Sequence, residues 1–91
     1  MENKEQIVSE LMDRLEALLA KMQADQVART VQLAGRIIPG LTHEDILNPD
    51  NFPKLMADKS FIYEDGIAAG LLSAKIAVRA EIFDFFKNSS S

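Results

Sequence analysis

The chain has no cysteine and no tryptophan, and only one histidine and one tyrosine among its 91 residues. Without cysteine there is no disulfide framework and no thiolate metal site, so packing alone must hold the fold together. A single histidine, His43, leaves no second imidazole for a zinc site, and no Glu-x-x-His pair exists for a carboxylate di-metal centre in a bundle. No catalytic residue, cofactor or metal is therefore expected. Positive charge is also scarce: ten Lys and Arg against fourteen acids give a net charge of −4, and the cations form no run or stripe. Phosphate backbones bind through clustered cations, so nucleic acid is not an expected partner.

No stretch supplies the ~20 largely apolar residues of a membrane span, and the beginning Met-Glu-Asn-Lys-Glu-Gln is charged where a secretory signal would be apolar. A cytoplasmic protein that does not enter a membrane is the expectation. No segment alternates between apolar and polar residues long enough to be a strand. Apolar residues make up 47% and charged residues 26%, which is globular and not disordered composition. At this length one domain is expected over residues 1–87, with a modest core and a disordered tail over 88–91.

The three prolines, Pro39, Pro49 and Pro53, all fall in the middle of the chain and leave a long segment on either side. From about Lys4 to Gln23, residues Ile7, Val8, Leu11, Met12, Leu15, Leu18, Leu19 and Met22 mark one helical face, while Glu10, Asp13, Arg14, Glu16 and Lys21 take the other. Glu10 and Arg14 stand at i,i+4 for an exposed ion pair. Beyond Gln23 the pattern changes phase. Asp25, Gln26 and Arg29 occupy the formerly apolar face, and Ala24, Val27, Val31, Ala34 and Ile38 form a row on nearly the opposite side. Either one helix of about 34 residues presents different faces to different neighbours, or the helix bends near Asp25 with that residue as an internal cap. The absence of Pro or Gly near Asp25 favours the continuous helix, and a helix that switches faces suits an oligomer.

Pro39-Gly40 ends this helix. Thr42 then stands as an N-cap, with Asp45 at the third helical position completing a capping box and Leu41 placed to staple Ile46. Asn48-Pro49 stops that short helix, and Pro53 opens another single turn through Met56. Leu41, Ile46, Leu47, Phe52, Leu55 and Met56 are too many large hydrophobes for a free linker, so the connector should pack across the end of the long helices. The run Asn48, Asp50, Asn51 and Phe52, framed by two prolines, fixes a shape. It serves either as a recognition loop or as the mould of the crossover.

The second long helix is expected to begin at a cap on Asp58 or Ser60, with Glu64 and Asp65 in its first turn, where acids suit the positive end of the helix dipole. At about 100° per residue, Gly66, Gly70, Ser73, Ala74, Ala77 and Ala80 fall on one stripe. Ile67, Leu71, Val78, Ile82 and Phe85 flank it on one side, with Leu72, Ile76 and Phe83 on the other, and a narrow strip of Glu64, Lys75 and Arg79 is left for water. A helix apolar over most of its circumference needs more than one neighbour. Small side chains in the stripe admit a helix axis closer than the usual ~8–10 Å, so Gly66, Gly70, Ser73, Ala74 and Ala77, with Ile67, Leu71, Val78 and Ile82 beside them, form the expected packing and oligomer interface.

The fold expected from these features is all-α: two long antiparallel helices in a hairpin joined by a structured connector, completed as a bundle by oligomerisation, most simply a homodimer of four helices. Function then falls into two classes. One is a small non-enzymatic interaction or scaffold protein, with a further protein partner for the bundle surface. The other is a bundle that binds a small apolar ligand, or performs chemistry, in a pocket near Tyr63, Glu64 and His43.

Overall fold

The computed structural model describes residues 3–89. Helix α1 runs unbroken over Lys4–Ile37, α2 over His43–Ile46, α3 over Pro53–Ala57 and α4 over Lys59–Ser89, with a single 3₁₀ turn at Pro49–Asn51 between α2 and α3. There is no strand among the described residues, and α1 and α4 pack against each other as an antiparallel hairpin. The helix passes through Asp25 without a break, so Asp25 is no internal cap; its carboxylate instead takes Lys21 Nζ at 2.7 Å, one turn back. Glu10 and Arg14 form their i,i+4 pair at 3.6 Å. Both pairs are exposed and contribute little.

Each short element begins where its local chemistry places it. Thr42 Oγ1 accepts from the Asp45 amide and Asp45 Oδ2 accepts from the Thr42 amide, both at 3.0 Å, which is a complete capping box. Leu41, just before the cap, is half-buried against the cluster that contains Ile46. Pro53 opens α3 at its first position, and the α4 cap is Asp58, whose Oδ1 accepts from the Phe61 amide at 2.9 Å. At the end of α1, Gly40 has φ +88°, a left-handed conformation that glycine adopts without strain.

Three expectations are corrected. The first turn of α4 holds no acid, because the helix starts at Lys59 and puts Glu64 and Asp65 in its second turn. Glu64 is held instead by a lateral partner, Gln26 of α1. Asn88 and Ser89 belong to α4, since nothing after Phe86 stops a helix; only residues 90–91 of the expected tail lie outside the described residues. The third correction concerns the rotation of α4. Glu64 and Lys75, assigned to water, are half-buried and turned toward α1, while Gly66, Gly70, Ser73, Ala74 and Ala77 are exposed.

The physical reason is a polar ladder across the hairpin. Gln26, 4% exposed, donates through Nε2 to the Glu64 carbonyl at 3.1 Å and to the Glu64 carboxylate. Lys75 Nζ donates to Gln23 Oε1 at 3.2 Å, and Arg79 lies 3.8 Å from Glu16. Buried Thr30 donates through Oγ1 to the Gln26 carbonyl at 3.0 Å, so no buried side-chain polar atom among the described residues lacks a partner. An amide as buried as Gln26 costs stability unless it is bonded, and the chain meets that requirement by turning Glu64 inward.

The core sits at the connector end. Ala34, Leu55 and Phe61 are fully buried and Ile46 nearly so, with Val31, Leu33, Ile37, Ile38, Leu41 and Phe52 packed around them. The second half of α1 thus spends its apolar row on the connector, as the phase change implies. Away from that end, no residue of α1 before Gln26 and none described in α4 after Phe61 is buried.

Candidate functional site

In the outer half of the hairpin, α1 turns Val8, Met12, Glu16, Leu19 and Gln23 toward α4, all half-buried. A second row, Ile7, Leu11, Leu15, Leu18 and Met22, lies beside it at spacings of four, four, three and four and is between 41% and 53% exposed. Five large side chains in a row along one helix, each still about half exposed, form an apolar strip of the kind that marks an interaction surface.

The side of the hairpin that carries this row is fixed by a shallow groove between Met22, Asp25, Gln26 and Arg29 of α1 and Ile67 and Leu71 of α4. By helical periodicity, Ala74, Val78 and Phe85 continue the α4 wall of that groove, and Gly70 stands on its outer edge. Both helices therefore present mainly apolar or small residues on this broad side, with Asp25, Arg29 and Glu81 as its charged members. Of the interface residues expected from sequence, Ile67, Leu71, Val78 and Ile82 are half-buried along the seam or its flank. Gly66, Gly70, Ser73, Ala74 and Ala77 are exposed. A Cβ built at Gly66 or Gly70 meets nothing within 4 Å, so no helix of the same chain closes on the small-residue stripe.

The opposite side is different. It carries a recess of about 240 Å³ between α1, α4 and the connector, walled by Val27, Val31, Ile46, Leu47, Ala68 and Leu72, with His43 and Asp65 among its polar lining. Farther along, Leu72, Ile76 and Phe83 are exposed from α4 alone. The recess does not gather the trio expected from sequence: His43 lines it, but Tyr63 and Glu64 do not. Tyr63 is 68% exposed, and the Glu64 carboxylate is engaged by Gln26. Asp65, which the sequence sets beside Tyr63 and Glu64 as a second carboxylate that could line a pocket, is the one that shares the recess with His43.

No known relative emerges. Comparison with protein-family models, with curated proteins and with solved structures gives no match. Among the described residues no three His, Asp or Glu side chains gather in an arrangement that could hold a metal ion, and no helix is long and apolar enough to cross a membrane. In the connector, Asn48, Asp50 and Asn51 are exposed, whereas Phe52 is half-buried against the core. Phe52 therefore anchors the loop, and only the three polar residues are presented outward. Asn48 Nδ2 donates back to the Glu44 carbonyl at 3.3 Å, which stiffens the turn.

Proposed function

We propose that this chain is a small, non-enzymatic helical interaction or scaffold protein of the cytoplasm, acting through the surface of an oligomeric helix bundle. The observation that carries the reading is the row Ile7, Leu11, Leu15, Leu18 and Met22, which stays between 41% and 53% exposed along the outer half of α1. A monomer that keeps such a row in water gives up the main favourable term of folding over half its length. The recognition elements left for other proteins are the outer bundle surface and the stiff polar turn at Asn48, Asp50 and Asn51. The measurement is sedimentation equilibrium at micromolar concentration. A mass of about twice the 10.1 kDa chain or more is expected, and a mass of one chain overturns the reading.

A second reading has its own observation, the recess beside His43 and Asp65. Its volume of about 240 Å³ is just under the ~300 Å³ at which ligand pockets usually begin, and its wall is mainly apolar, so a small apolar molecule with one polar group suits it. A thermal-shift screen tests this directly, because a ligand at 100 times its Kd stabilises by about 2.7 kcal/mol. A screen without a hit removes the reading.

A further inference from the structure

The proposed oligomer needs a contact surface, and the hairpin has two apolar sides that are not equivalent. On the side with the groove, α1 contributes Ile7, Leu11, Leu15, Leu18 and Met22 and α4 contributes Ile67, Leu71, Ala74 and Val78. On the other side α4 contributes Leu72, Ile76 and Phe83, whereas α1 offers no large apolar side chain: Ser9 and Asp13 are polar or charged, and Ala17 and Ala20 are small. Resting on the oligomer reading above, we infer that a second copy of this chain seats on the groove side, layering hairpin on hairpin over the outer half of α1 and α4, and leaves the recess side free.

The occupant follows from area and shape. A compact monomer of 10.1 kDa exposes about 5,300 Å², whereas this chain exposes 6918 Å². Its radius of gyration is 17.9 Å, where a compact chain of this length has about 12 Å. An excess well over ~1,000 Å² per chain, covered mutually, gives an interface above ~2,000 Å² in total, within the range of obligate homodimers. A single helix or extended peptide covers a band only ~10 Å wide, and the exposed side is two helices across. Another hairpin of the same length and pattern covers both rows at once.

The position of the stripe agrees with this placement. A neighbour stacked on the groove side approaches α1 along Leu11, Leu15 and Leu18 and α4 along Gly70 and Ala74. The large side chains of one helix and the small ones of the other then let a flat second layer sit evenly on both. Asp25 and Arg29 bound the apolar surface toward the connector, so the overlap is confined to the outer half, which has no core of its own.

The test compares charge placed on the two sides of the full-length chain, read by sedimentation equilibrium and circular dichroism. Leu15→Glu is expected to bring the mass from two chains to one with a loss of helicity, while Ile76→Glu, at an exposed apolar position on the recess side, keeps the mass of two chains. Because a glutamate in the row also disfavours the folded hairpin, Leu18→Ala serves as the milder variant, and its dimer Kd is expected to rise by more than ~10-fold. A dimer that survives both Leu15→Glu and Leu18→Ala, or one that dissociates with Ile76→Glu, overturns the placement and leaves the oligomer reading intact. A wild-type chain that sediments as a single copy overturns that reading itself.

Discussion

Gly70 gives the most discriminating perturbation, because two physical effects act on it with opposite sign. In the isolated hairpin the position is an exposed helix interior with nothing within 4 Å of a built Cβ. Gly70→Ala should then stabilise by up to ~1 kcal/mol through helix propensity and a less flexible unfolded chain. Gly70→Leu should be tolerated for the same reason. If another chain closes on the stripe, an added side chain forces the axes apart, and overpacking of that kind costs about 1–3 kcal/mol. Since a Cβ at this position meets no atom of the same chain, a loss of stability in Gly70→Ala points to a second copy, and it should fade as the protein is diluted below the dissociation constant of the proposed oligomer. The assay is a pair of denaturant melts per variant, at concentrations well above and well below dissociation. At high concentration Gly70→Leu is expected to be destabilising by ~1–3 kcal/mol and Gly70→Ala neutral or destabilising. At this chain length 1 kcal/mol moves the midpoint of a thermal melt by roughly 4–8 °C, so either sign is readily measured. A stabilised Gly70→Ala together with a tolerated Gly70→Leu in the assembled protein would refute the close-packed seam.

Thr42→Ala removes one arm of the capping box and is expected to cost on the order of 1 kcal/mol in a denaturant melt without changing the oligomeric mass; no change would mean that α2 does not depend on this cap. Phe61→Ala empties the largest fully buried side chain of a very small core and is expected to cost about 3–5 kcal/mol, much of the total for a chain of this size. A loss under ~1 kcal/mol by the same melt would place the main stabilisation elsewhere than at the connector end. His43→Ala, or added chelator, should leave helicity and melting temperature nearly unchanged, because His43 is exposed at the start of α2 and has no gathered acidic partners. A chelator-dependent fall in melting temperature would speak for a metal.

The two long helices and the punctuation between them were legible because each rests on local chemistry. Three prolines confine the breaks, Thr42 and Asp45 close a capping box within four residues, and nothing near Asp25 breaks a helix. The rotation of α4 was not legible from α4 itself. A helix apolar nearly all round has no strong preference for which face turns inward, so its few charges look like the solvent side by default. What decides the matter lies on α1. Gln26 stands on the seam and must be hydrogen-bonded when buried, and in an antiparallel hairpin Glu64 is the group level with it. Gln23 with Lys75 and Glu16 with Arg79 repeat the pattern at successive levels. The phase change at Asp25 pointed to Gln26 as a polar residue on an apolar face, and asking which residue of α4 could satisfy that amide would have turned the helix correctly. Once the charges of α4 are drawn into the seam, its small residues are necessarily on the outside. A close approach along Gly70 is then not made within one chain and would belong only to the proposed assembly, which is why the rotation of a single helix moves the question from folding to association.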